Sequence, residues 1–213
     1  MTKAPIDSRP VDILAEALRY ASLGWPIIPD HIPLAGGGCS CGTPGCDKAG
    51  KHPRISRWTE VASTDQAVIE GWGKNWPEMN ISVLTGARSN LVVLDVDPRN
   101  GGEASLDALF PAEELRRLQT PISRTGGGGK HLYFRYPGSP FKTLPDLLPG
   151  LELKADGGKV TLPPSLHLSG NRYAWEFSPF GVEVAPIPKR LLDLAGRRKE
   201  RGSTTERGGE FIP

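Results

Sequence analysis

The 213-residue sequence contains no run of eighteen apolar residues, and its first ten positions are polar, without the hydrophobic stretch of a secretory signal. These absences argue against a membrane partner and for a cytoplasmic protein. Cysteine is scarce and odd in number, with three residues, which excludes a disulfide framework of the small secreted kind. Excess charge is lacking too. Residues 197–213 hold five basic and three acidic side chains, leaving 21 of each sign in the rest. Net charge therefore gives no support for a nucleic-acid partner, and any such surface must be a local patch. A P-loop of the ATPase type is also missing: the glycine run before Lys130 would need glycine at Arg124 and Ser or Thr at His131.

Glycine and proline are abundant, at 26 and 21 residues, against an apolar fraction of 38%. Such a composition predicts one loop-rich domain over residues 1–196 and a charged, flexible tail over 197–213. Leu14, Ala17, Leu18 and Ala21 repeat at helical spacing, predicting a helix over 11–23 that stops at Gly24, with Trp25 to Pro29 leading into loop. A second helix is predicted over 65–75, with Thr64 as its N-cap. Strands are predicted at 80–85, 91–95, 131–136, 151–154 and 158–162, and a last helix after Pro188. The class is α/β (α+β).

Cys39, Cys41, Cys46 and His52 are spaced C-x-C-x4-C-x5-H in a glycine-rich stretch, about 36–54, that reads as an inserted loop. Four soft or borderline ligands on such a loop suit tetrahedral Zn2+ held structurally. Free cysteines are usually buried, and a glycine-rich loop is poorly suited to bury three. Lys48, Lys51, Arg54 and Arg57, with Trp58, surround the ligands. They suit either a nucleic-acid backbone with a stacked base or an ordinary solvated surface.

Asp95 and Asp97 close an apolar strand on alternate residues, so both share one face. Adjacent like charges call for a cation between them, for which Mg2+ or Mn2+ is suited, or for a solvated Asp-Pro turn. Arg124 to His131 is a glycine run opening onto a strand whose start presents Lys130 and His131. Glu152, Lys154 and Asp156 alternate with apolar residues and share a strand face. Two acidic clusters and a basic strand start supply the parts of a two-metal phosphoryl-transfer site.

In this order the residues resemble the archaeo-eukaryotic primase superfamily, and in particular the bifunctional primase-polymerase domain of plasmid, phage and prophage replication proteins. Leu94-Asp95-Val96-Asp97-Pro98 is similar to the family's first motif, a D-x-D or D-x-E pair on a strand. Gly129-Lys130-His131-Leu132-Tyr133-Phe134 is similar to the second, and Leu151-Glu152 to the third, followed by Asp156-Gly157-Gly158 and Pro163-Pro164-Ser165. The cysteine-rich loop ending in Lys51-His52-Pro53, with Trp58 beyond, is similar to the family's zinc-bearing loop. This chain has Gly129 where many relatives have Ser, and Glu152 where Asp is commoner. The resemblance implies a catalytic core with a sheet like an RNA-recognition motif. It implies catalytic Mg2+ or Mn2+ on Asp95, Asp97 and Glu152, and nucleotide contacts from His131 with Lys130, Lys154 and Ser165. Single-stranded DNA template, primer and nucleoside triphosphates are the implied partners, with a helicase domain further along the full-length protein. The competing readings are a metal-dependent nuclease and a non-catalytic zinc-bearing replication initiator.

Overall fold

Asp12 opens the first helix. Its carboxylate accepts the Ala15 amide at 2.9 Å, satisfying one of the unpaired donors of a helix start, and the helix runs Ile13–Ser22 (α1). The computed structural model describes residues 12–196. Val11, where this helix was expected to begin, and the tail expected over 197–213 lie outside the described residues. Past Gly24 the segment expected as loop forms a fully buried strand, Ile27–Asp30 (β1). Trp58–Val61 (α2) and Gln66–Asn75 (α3) follow. The N-cap of α3 is Asp65 and not Thr64, because the Asp65 carboxylate accepts the Val68 amide at 3.0 Å.

The remaining elements are Asn80–Leu84 (β2), Leu91–Val96 (β3), Gly102–Leu109 (α4), Ala112–Arg117 (α5), Ile122–Arg124 (β4), Lys130–Arg135 (β5), Leu144–Leu148 (β6), Leu151–Lys154 (β7), Lys159–Thr161 (β8), Ala174–Phe177 (β9) and Ala185–Pro186 (β10). A helical run at 189–196 (α6) ends the described chain. They form two sheets. The small one is antiparallel, in the order β1-β2-β8; the large one runs β6-β7-β3-β5-β4-β9, with β10 parallel to one end of β5.

Strand alternation assigns the side chains. Val92, Leu94 and Val96 of β3 pack with Leu132, Phe134, Leu151, Leu153, Leu106 and Phe110 in one core. Leu91 and Val93 face the other way, toward Tyr20, Ile27, Ile81, Val83 and Tyr133, in a second core between the sheets. With both faces covered, β3 reads as the continuous apolar run of a buried strand. Two residues of alternation past Val93 comes Asp95, and two more bring Asp97, so both acids leave the inter-sheet core on the same side.

Candidate active site and metal-binding loop

Three strands bring one row of side chains together. Asp95 of β3 is paired with His131 of β5 on one side and with Glu152 of β7 on the other. Asp95 and His131 of this row, with Asp97 and Lys154, line a cleft of about 390 Å³ that is also lined by Lys159, Val160 and Thr161 of β8 in the small sheet, while Glu152 stands beside Asp95 outside the lining. The size suits a small ligand. The Asp95, Asp97 and Glu152 side chains are each about one-third exposed, so solvent and ions reach them.

The His131 Nε2 to Asp95 Oδ1 distance is 3.6 Å, longer than a hydrogen bond. Burial pushes the His131 imidazole pKa down while Asp95 pushes it back up, and Nδ1 is buried without a partner among the described residues. Asp97 is held in a fork: Arg99 Nε and Nη2 donate to its two oxygens at 3.0 Å each, and Asn100 Nδ2 donates at 3.0 Å. These bonds to Arg99 hold the Asp97 carboxyl below the usual range. Glu152 pairs with Lys154 at 2.6 Å.

The glycine run that precedes β5 forms a tight turn, with Gly129 N–H donating to Thr125 Oγ1 at 2.9 Å. A Cβ on Gly129 would meet the Val96 carbonyl oxygen at 2.4 Å, so serine, common there in the family resembled, does not fit this turn. Alternation then separates the two residues that the sequence reading had joined. His131 faces the cleft, whereas Lys130 points to the opposite face of the sheet, where it pairs with Glu103 of α4 at 3.3 Å. Ser165 is also outside the cleft. It is fully buried, and its hydroxyl accepts the Ile81 amide at 2.9 Å and donates to the Ile81 carbonyl at 3.1 Å.

Other residues join the cleft instead. Arg99, Thr125, Gly127, His167, Tyr173 and Lys51 all line it. His167 sits over Gly126, where any Cβ would meet its own Cβ at 2.3 Å. Its sequence signal is weak, a single histidine two places after Ser165. Lys51 was singled out in sequence only as a loop cation.

Cys39, Cys41, Cys46 and His52 converge so that one donor atom from each lies within 4.8 Å of the others. His52 Nε2 is 3.3 Å from Cys39 Sγ and 3.5 Å from Cys46 Sγ. Zinc bonds of about 2.3 Å to sulfur and 2.0–2.1 Å to nitrogen give a tetrahedral S···N edge of about 3.5 Å, so the donor set fits Zn2+. The Thr43 amide, directed at Cys41 Sγ at 3.4 Å, is the main influence that draws the Cys41 thiol down to about 6, which favours the thiolate a metal needs. Of these cysteines Cys39 is buried, while Cys41 and Cys46 are half-buried. Among the described residues no other group of three or more His, Cys, Asp or Glu side chains brings its donor atoms this close, and the oxygens of Asp95, Asp97 and Glu152 stand further apart.

The loop is bound to the small sheet. Lys159 Nζ donates to Asp30 Oδ2 at 2.7 Å, to Ser82 Oγ at 3.2 Å and to the Lys51 carbonyl at 2.9 Å. Asp30 is completely buried, so this cation is its necessary partner. No described helix is long and apolar enough to cross a membrane.

No curated protein matches the chain. The family model described as bifunctional DNA primase/polymerase, N-terminal, matches residues 17–190, a span that takes in the acid row, its histidine and the cysteine loop, and the chain belongs to that family.

Proposed function

We propose that this chain is a template-directed nucleotidyltransferase that extends a primer on single-stranded DNA from nucleoside triphosphates. The observation that carries the reading is the row Glu152–Asp95–His131 across β7, β3 and β5, whose Asp95 and His131 line the inter-sheet cleft, in a chain of the primase/polymerase family. Asp95, Asp97 and Glu152 are hard oxygen donors on adjacent backbone, open to solvent, and suit Mg2+ or Mn2+. Bound divalent cations supply charge stabilisation at the attacking and leaving oxygens of an in-line displacement.

The chain's own groups do the rest. The neutral His131 imidazole, walled in by Tyr133 and Tyr173, offers one ring N–H to a triphosphate oxygen. Lys154 holds Glu152 and adds positive charge beside it. Lys130 and Ser165 have no part in this reading. The Cys39, Cys41, Cys46 and His52 set holds Zn2+ as a closed structural site. The strand order β7-β3-β5-β4, with α4 on one face, is the part we read as the RNA-recognition-motif-like module. A plasmid, phage or prophage setting, and a helicase domain in a longer protein, follow from the resemblance alone.

The test is incubation with a labelled primed template, Mg2+ or Mn2+ and nucleotides. Primer extension by the wild-type chain, abolished by Asp95→Ala with fold and DNA affinity retained, is the expected result. Template degradation would replace the reading with a nuclease, and DNA retention without chemistry would replace it with an initiator.

A further inference from the structure

Four cations line the cleft: Lys51, Arg99, Lys154 and Lys159. Three of them are already matched, Arg99 to Asp97, Lys154 to Glu152 and Lys159 to Asp30. Lys51 has no carboxylate within 4.0 Å among the described residues, although Asp95 and Asp97 are the acids whose fields reach it. An unmatched ammonium thus shares with Asp95 and Asp97 a cleft of about 390 Å³, which has room for an anion.

The backbone beneath Lys51 is fixed on every side. Its N–H donates to the Lys48 carbonyl at 2.9 Å, and its C=O accepts from Lys159 Nζ at 2.9 Å. The next residue is the zinc-site ligand His52, whose carbonyl accepts the His31 amide at 2.9 Å. The preceding Gly50 has φ +77°, its carbonyl accepts Asn80 Nδ2 at 3.0 Å, and a Cβ there would strike Pro33 at 2.6 Å. Fixed backbone with an uncommitted charged tip is the arrangement of a preorganised binding group.

We infer that Lys51 is a phosphate-binding residue for the incoming nucleoside triphosphate, held across the cleft from Asp95 by the cysteine-histidine loop. The loop is then one wall of the nucleotide site, and not a separate module. The anion is a triphosphate because Lys51 shares its cleft with the acid row, so the inference rests on the transferase reading for the identity of its ligand. Lysine suits the task as a compact point charge for phosphate oxygens.

The test is direct binding, separate from turnover. The affinity of the full chain for a fluorescent deoxynucleoside triphosphate, and for the matching monophosphate, is titrated with Ca2+ in place of Mg2+. Lys51→Met is expected to weaken triphosphate binding about tenfold or more, the scale of a lost charge-assisted hydrogen bond. Monophosphate binding should change less, by about twofold, since a monophosphate offers the ammonium fewer oxygens and less charge than a triphosphate. Lys51→Arg should recover most of the loss, and zinc content should stay unchanged in both variants, reporting an intact loop. Unchanged triphosphate affinity in Lys51→Met overturns the inference, as does an equal loss for mono- and triphosphate. So does a loss of DNA affinity alone, which would assign Lys51 to the template. If wild type extends primers and Lys51→Met keeps its affinity, Lys51 alone is misassigned. If wild type binds triphosphate through Lys51 but never extends a primer, the transferase reading alone fails. No triphosphate affinity at all in wild type removes both.

Discussion

The Asp156 carboxylate accepts the amides of Ala87 at 3.0 Å and Phe141 at 2.9 Å and the Tyr136 hydroxyl at 2.6 Å. Glu152, four residues earlier, is the cross-strand neighbour of Asp95 and pairs, among the described residues, with Lys154 alone. Sequence alternation puts the two on one strand face and cannot separate them, because the difference is made by loops at 87 and 141 that are distant in the chain. Burial alone would raise the Asp156 pKa, but its three donors more than offset this and hold it below the usual range. A depressed folded-state pKa contributes stability above the unfolded value of about 3.9, lost as pH falls through the folded value. Asp156→Asn is therefore expected to lower the melting temperature at neutral pH, with a cost of about 1–2 kcal/mol, and to flatten the loss of stability on acidification. Its extension rate per folded molecule should stay near wild type. Glu152→Gln should do the reverse, leaving the melt in place, cutting extension by on the order of a hundredfold and raising the Mg2+ requirement. Melting curves from pH 3 to 7 and steady-state extension rates decide it. The opposite order would move the third acid to Asp156.

Among the elements, the strands carrying the acid row were legible because β3, β5 and β7 carry strong apolar runs or alternation. Others were not. The strand β1 contains Pro29 and follows Pro26, so local chemistry reads it as loop. It is a strand because Ile27 and Ile28 are buried on opposite faces, in two different clusters. The helix α4 was not predicted: it starts at Gly102 with Gly101 as its N-cap, and glycine is a poor helix former. The reason for those glycines is tertiary: Gly102 N–H donates to the Asp97 carbonyl at 2.9 Å, and the Asp97 amide donates to Gly150 O at 2.8 Å. A Cβ on Gly150 would meet Gly102 N at 2.3 Å and Asp97 O at 2.6 Å, and Gly150 sits at φ +67°. This crossing of three backbones sets the position of Asp97. Gly150→Ala is expected to cost at least about 2 kcal/mol through strain and overpacking and to reduce nucleotide addition by the fraction that remains folded, more steeply than Asp156→Asn does. Chemical denaturation with extension assays on the same samples measures both. Wild-type stability in Gly150→Ala would show that the backbones can separate at no cost.

At the scale of the whole molecule, the cysteine-histidine loop, the small sheet and the cleft are one mechanical unit, joined through the Asp30–Lys159–Lys51 links. The sequence displays the four cysteine and histidine donors plainly, but not that Lys51 of their loop lines the same cleft as Asp95, some forty residues later. Elemental analysis of the purified chain is expected to give one zinc, lost in Cys46→Ser. Chelation should lower the melting temperature and raise the KM for nucleotide more than it lowers kcat, since Lys51 is displaced while Asp95 and Glu152 stay on the large sheet. A zinc-free chain with wild-type KM would separate the loop from the cleft.

The order β1-β2-β8 has a further consequence during synthesis. β1 and β2 can pair once residue 84 has emerged, but the far edge of β2 stays open until 159–161 arrive. At about 5–20 residues per second that is a lag of roughly 4–15 s. Throughout it, Asp30 waits for Lys159, and the acid row waits for Glu152. All four residues of the cysteine-histidine donor set, by contrast, have been translated by residue 52. A chain still on the ribosome therefore holds the complete cysteine-histidine donor set well before the cleft that Lys159, Val160 and Thr161 help to line can form.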